Sequence, residues 1–257
     1  MIHFVGAGPG AADLITVRGA RLIAQADQII YAGSLVNPDL VRPAKQGCRV
    51  LDSSGMTLEE VLACMRGQEA AGGDTVRLHT GDPSLFGAIR EQMDALAAEG
   101  IPFDVVPGVS SFCGAAAALQ AEYTLPGVSQ SVIITREDGR TKVPEREQLA
   151  SMAAHGCTMV LFLSAGLLER TQADLLAGGY AESTPAALVY KATWPDERVV
   201  RCTVGTLAQA GAEAGVSKTA LVCVGDFLAS SYERSKLYDP AFSHGFRMAT
   251  EGEEHDA

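Results

Sequence analysis

Three short stretches hold most of the residues that could do chemistry: FVGAGPGAADLIT (4–16), HTGDPSLFG (79–87) and VVPGVSSF (105–112). Each runs from an apolar strand-like segment into a turn of small residues and then toward a helix. Such a turn brings backbone close to a ligand, and a helix start offers N–H groups to an anion or carboxylate. In the first stretch Gly6, Gly8 and Gly10 permit positive φ and close approach of a bound molecule. In the second, Asp82 is either a Gly-Asp-Pro turn former or a carboxylate for a ligand hydroxyl or cation. In the third, Ser110 and Ser111 open a helix.

The spacing Gly6, Gly8, Ala11 imitates a dinucleotide fingerprint, but the match fails on detail. Ten residues, Gly6 to Ile15, pass before helical periodicity begins. Pro9 has no N–H to give a phosphate. The second strand ends in Tyr31-Ala32-Gly33 with no acidic residue for a ribose, and no G-K-[ST] follows. A fourth stretch, TREDGRTKVPER, gathers Arg136, Arg140, Lys142 and Arg146 among interleaved acids. It is either a solvated charged loop or a place to capture carboxylates.

The elements that position these loops alternate. Strands are expected at 2–6, 28–33, 48–52, 75–81 and 103–108, with helices at 17–26, 58–70, 87–100 and 110–120. Thr16 caps the first helix, and Thr57 with Glu60 makes a capping box for the second. The segment 121–130 has Pro, Gly and no clear period, which marks a domain boundary. Beyond it strands are expected at 131–135, 158–164, 185–192, 198–204 and 219–226, with helices at 145–154, 167–178 and 205–214. The close spacing of the last strands predicts a hairpin and a mixed sheet. The reading is α/β with two lobes, 1–120 and 121–247, and an acidic disordered tail at 248–257.

Composition narrows the function. Hydrophobic residues are 47% and charged residues 20% of 257, the balance of a globular protein with a sizeable core. A net charge of −11 argues against an extended nucleic-acid surface. No apolar run reaches the roughly 18 residues that span a bilayer. No leader pattern opens the chain, so a cytoplasmic protein is expected. The six cysteines are scattered and read as buried, reduced thiols, and no Cys/His spacing suits a metal.

Taken in order, V-G-A-G-P-G-x-x-D-L-I-T, T-G-D-P and V-P-G-V-S-S resemble the tetrapyrrole methyltransferase family. The resemblance extends to about residue 247. YAGSLVNPDL (31–40), TREDGRTKVPEREQL (135–149), YKATWPDERVVRCTVGTL (190–207) and SKLYDPAFSHGFR (235–247) are similar to its corrin-pathway members. The resemblance implies two α/β lobes, a homodimer, and S-adenosylmethionine held in the cleft between lobes and released as S-adenosylhomocysteine. It implies a small tetrapyrrole substrate and no protein-bound metal, nucleic acid or membrane partner. Cofactor contacts carry over to Pro9, Thr80, Gly81, Asp82, Leu85, Ser110, Ser111, Leu163 and Ala192. The cationic stretch then supplies Arg136, Arg140 and Lys142 for substrate carboxylates. In related uroporphyrinogen methyltransferases an acid on the second strand has a catalytic role; Ala32, Gly33 and Ser34 stand there, so none is carried over. Tyr123, Tyr190 and Asp196 are the nearest candidates for a base. The alternatives are another member of the fold (a different ring carbon, diphthine synthase, an rRNA ribose methyltransferase), a nicotinamide oxidoreductase, or a noncatalytic binder.

Overall fold

A computed structural model describes residues 1–229 and 232–250. The chain divides into two compact units, Met1–Ala118 with Tyr190–Arg198, and Leu119–Val189 with Val199–Ala257.

The first unit is built on a parallel sheet of β1 (Ile2–Gly6), β2 (Gln28–Tyr31), β3 (Arg49–Asp52), β4 (Thr75–His79) and β5 (Phe103–Val106), in the order β3-β2-β4-β1-β5. Its helices are α1 (Val17–Gln25), α2 (Leu58–Ala70), α3 (Arg90–Ala98) and α4 (Ser111–Leu119). Alternating strand residues feed two cores, as a sheet covered on both faces requires. Val5, Ile29, Val76 and Leu78 pack with Ile23 of α1. Ile2, Phe4 and Ile30 pack with Val61, Leu62 and Met65 of α2 and Leu96 of α3. The Thr16 hydroxyl accepts from Gly19 N, and the Thr57–Glu60 capping box is present.

Sheet order explains why three stretches distant in sequence belong together. The strands that end in them, β4, β1 and β5, are neighbours. From β1 the chain crosses to β2 on one side; from β4 it crosses to β5 on the other. Right-handed crossovers in opposite directions put their helices on opposite faces. The carboxyl edge between β1 and β4 is therefore a switch point, where open α/β sheets bind ligands.

The second unit holds a sheet ordered β6-β7-β10-β8-β9. Its strands are β6 (Val132–Arg136), β7 (Thr158–Phe162), β8 (Pro185–Tyr190), β9 (Arg198–Thr203) and β10 (Ala220–Val224), and its helices α5 (Leu149–Ala153), α6 (Leu168–Ala177) and α7 (Leu207–Glu213). β6 and β7 are parallel and β7 and β10 antiparallel, so the sheet is mixed. β8 and β9 are adjacent.

Two helices differ from expectation. The one expected from 87 starts only at Arg90, because Phe86 and Ala88 adopt left-handed φ of +55° and +49°. The one expected over 145–154 is a 3-10 turn, Glu145–Glu147, followed by the short α5. Gln148 between them is extended, with ψ 145°, which breaks the helix. From Glu251 onward, the tail expected at 248–257 lies outside the described residues. The thiols are not uniformly buried: Cys223 is buried, Cys113 is exposed and the other four lie between. No helix among the described residues is long and apolar enough to cross a membrane.

Candidate functional site

The loops after β1, β4 and β5 are joined backbone to backbone. Gly8 N donates to Gly81 O (3.2 Å) and Gly81 N to Gly8 O (2.8 Å), while Ala7 N donates to His79 O (2.7 Å). A Cβ on Gly6 would stand 2.5 Å from Gly108 Cα, and one on Gly108 would stand 2.2 Å from Gly81 O. Neither distance is tolerable, so three stretches of backbone meet where Gly6 and Gly108 leave no room for a side chain. This corrects the reason given for the first-loop glycines. Only Gly8 has positive φ (+79°); Gly6 does not, and neither does Gly10. Gly6 is required by the neighbouring backbones. Gly10 is required by Trp194, whose ring would lie 2.2 Å from an added Cβ.

Asp82 clamps this junction. Its Oδ2 accepts from Gly108 N (2.8 Å), and its Oδ1 accepts from Ser84 N (2.9 Å) and the Ser84 hydroxyl. Burial alone would raise its pKa, but the hydrogen bonds from Ser84 and Gly108 outweigh this and hold the carboxyl below its ordinary value. Of roughly four acceptor positions on a carboxylate, three are taken by protein donors. Asp82 is thus a turn former that also binds one loop to the next.

A segment remote in sequence holds the first loop from the other side. Trp194 Nε1 donates to Pro9 O (3.2 Å), and Ala11 N donates to Thr193 Oγ1 (3.0 Å). Asn37 Nδ2 donates to Gly10 O (2.9 Å). Gly114 of α4 lies against Pro9, 3.0 Å from an added Cβ to the proline Cβ. Lys191 and Thr193 carry φ of +47° and +68°, and Glu197 accepts from Thr193 N (2.6 Å), which fixes this strained turn. The sequence does not announce Asn37, Gly114, Thr193 or Glu197. Their partners are long-range and belong to no local motif.

The cofactor positions inferred from resemblance distribute as follows. All except Leu163 fall in the first unit. Pro9, Gly81 and Asp82 are inside the junction, and Ala192 is buried beside Gly10. Thr80 is exposed and Leu85 half-buried. Ser110 is buried and its carbonyl starts α4; Ser111 is partly exposed, and its N lies 3.4 Å from where a Gly81 Cβ would be. Leu163 belongs to the second unit, just past the carboxyl end of β7, 70% exposed and with φ +54°.

The cationic stretch is a structured ion network. Arg136 donates to the carbonyls of Glu137, Thr141 and Lys142. Lys142 Nζ pairs with Asp138 Oδ2 (2.9 Å). Arg170 of α6 reaches Glu137 Oε1 (3.3 Å) and Asp138 Oδ2 (3.4 Å). Arg140 is exposed, with no partner among the described residues. Of the base candidates, Tyr123 is a core residue edge-on to Phe227, and Asp196 is held charged by Lys191 (2.6 Å). Tyr190 lies under Arg198, 4.7 Å from the ring centroid. Among the described residues, no group of three or more His, Cys, Asp or Glu is placed to hold a metal ion.

These features define an α/β protein that presents glycine-built loops at the carboxyl edge of a parallel sheet, the arrangement of a small-ligand enzyme. The chain belongs to the tetrapyrrole (corrin/porphyrin) methylases, whose family model matches residues 1–208. It is 47% identical to the cobalt-precorrin-4 C(11)-methyltransferase of Priestia megaterium, over 98% of this chain and 99% of that one. It is 45% identical to the precorrin-4 C(11)-methyltransferase of a Sinorhizobium species, over 96% and 98%. Among solved structures it is similar to a cobalt precorrin-4 methyltransferase described as a cobalamin biosynthetic enzyme (TM-score 0.87, 47% identity, 89% of this chain and 96% of that one). It is also similar to the Thermus thermophilus uroporphyrin-III C-methyltransferase complexed with S-adenosyl homocysteine (TM-score 0.76, 27% identity, 88% and 98%).

Proposed function

We propose that this chain is an S-adenosylmethionine-dependent methyltransferase of cobalamin biosynthesis that methylates C11 of precorrin-4 or cobalt-precorrin-4. The observation that carries the reading is near full-length likeness to relatives of both names. Cobalt, where present, belongs to the substrate.

S-adenosylmethionine supplies a methyl group on a sulfonium, its own leaving group. What remains for the protein is alignment and exclusion of water. The three-loop junction suits that task, because backbones locked against one another hold a position with little freedom. Its chemistry fits the ligand: Thr80 and Ser111 leave polar groups accessible, Leu85 offers apolar surface, and Asp82 retains one acceptor position for a hydroxyl. We assign the cofactor to Pro9, Thr80, Gly81, Asp82, Leu85, Ser110, Ser111, Leu163 and Ala192. Substrate carboxylates are assigned to the region of Arg136, Arg140 and Lys142. Arg136 and Lys142 already serve the protein, so Arg140 is the side chain best able to turn to a ligand. We further read the protein as a cytoplasmic homodimer.

The test is calorimetric titration of S-adenosylhomocysteine, with NAD in parallel, followed by assays of methyl transfer to precorrin-4 and its cobalt form. Binding of S-adenosylhomocysteine together with turnover supports the reading. Binding of NAD alone overturns it.

A further inference from the structure

Bulky side chains rarely adopt left-handed φ, and residues held in that strain cluster at active sites and ligand clamps. Among the described residues, two large apolar side chains are left-handed and also reach the surface: Leu163 and Phe86. Leu163 is a cofactor position by resemblance. Phe86 has no assigned role.

Phe86 is 47% exposed with φ +55°. The strain has nowhere to relax, because the loop is fixed on both sides. Upstream, Asp82 ties the turn to Ser84 and Gly108, and Leu85 N donates to Asp82 O (3.2 Å). Downstream, Gln92 Nε2 donates to Ala88 O (2.9 Å), and Ala88 is itself left-handed. Between them Gly87 is pressed against Pro83, where a Cβ would lie 2.2 Å from the carbonyl oxygen. The fold accepts backbone strain and an unburied ring at one residue, immediately beyond the stretch Thr80–Leu85 assigned to the cofactor. A methyl acceptor must lie next to its donor.

We propose that Phe86 is a substrate-contacting residue, whose ring packs against a face of the tetrapyrrole macrocycle. The proposal rests on the methyltransferase reading above. The conjugated part of the macrocycle prefers an aromatic neighbour, offset-stacked or edge-on, to water.

The experiment compares Phe86→Ala, Phe86→Gly and Phe86→Tyr with the wild type. It measures KM and kcat for precorrin-4, the Kd for S-adenosylhomocysteine, and Tm. Ala and Gly are expected to raise KM about tenfold, the scale of one aromatic contact, and to leave the S-adenosylhomocysteine Kd unchanged. Tyr, which keeps the ring, should restore KM. Gly should melt a few degrees above Ala because it relieves the left-handed strain that Ala retains. That second comparison shows that the variants are folded. An unchanged KM in both Ala and Gly variants overturns the proposal, as does a Kd for S-adenosylhomocysteine that weakens in step with KM. A wild type that neither binds S-adenosylhomocysteine nor methylates precorrin-4 overturns the function and this inference together, so the two failures are distinct.

Discussion

The first unit fixes its loops by leaving side chains out; the second fixes the loop after β6 by burying charge. Around Gly6 and Gly108, backbone meets backbone and a single methyl group would not fit, while Gly81 between them has a left-handed φ of +62°. Around Glu137 and Asp138, two almost fully buried carboxylates are held by Arg170 and Lys142. The first device is steric, and its glycine contacts carry no titrating group; Asp82, the ionisable group that clamps the junction, is held charged. The second is electrostatic, and Glu137 Oε2 is left without a hydrogen-bond partner. The difference teaches which kind of perturbation each unit should tolerate.

The largest effect should come from the steric device. Gly108→Ala places a Cβ 2.2 Å from Gly81 O and 2.7 Å from Gly6 Cα, all backbone atoms that cannot swing aside. We expect a loss of about 3 kcal/mol, the upper end for overpacking, together with loss of S-adenosylhomocysteine binding. Urea unfolding and calorimetry check it, and a variant as stable as wild type would show that the junction is looser than described. Asp82→Ala comes next. It removes acceptors from Gly108 N and Ser84 and should cost about 2 kcal/mol, since a semi-buried N–H loses its partner. Trp194→Phe keeps the ring beside Gly10 but deletes the Nε1 bond to Pro9 O, for about 1 kcal/mol. If Trp194→Phe proves more damaging than Asp82→Ala, then the remote segment rather than the clamp dominates the first loop.

The same contrast explains what could be read in the sequence. Steric devices leave a compositional trace: Gly6, Gly8, Gly81 and Gly108 stand in motifs, and the Thr57–Glu60 box announced α2. Even there the trace gives the place and not the cause, since Gly6 and Gly10 are needed for neighbours rather than for φ. Electrostatic devices leave an ambiguous trace. Arg136 and Lys142 read equally as solvated charges or as ligand groups, because their partners, the loop carbonyls and Asp138, are fixed by the folded loop alone. Asn37, Thr193 and Trp194 left no trace as loop supports, for their bonds to the first loop join segments up to 185 residues apart. The late start of α3 was also invisible, since left-handed φ at Phe86 and Ala88 is imposed by the loop's surroundings and runs against local propensity.

The smallest effect, and the sharpest test of the contrast, is a pH slope. Burial first of all raises the Glu137 carboxyl above its ordinary value of 4.5, and the charge of Asp174 adds to this, while the Asp138 N–H and Arg170 act against it. A carboxyl with a raised folded pKa holds its proton longer in the folded chain than in the unfolded one. Stability therefore falls as pH rises from the ordinary value through the raised one. Asp138 behaves oppositely: the hydrogen bond from Lys142 first of all lowers its pKa, so its contribution is present at neutral pH and is lost as pH falls through the folded value. Glu137→Gln keeps an oxygen to accept from Asp138 N and has no proton to lose. Urea midpoints measured from about pH 4 to pH 8 should show the wild type losing stability relative to Glu137→Gln as pH rises above the ordinary carboxyl range. Gly108→Ala should leave that slope unchanged, because the first device carries no titrating group of this kind. Parallel curves for wild type and Glu137→Gln would mean that Glu137 ionises normally where it is buried, and that its neighbours compensate the charge more fully than Arg170 alone provides.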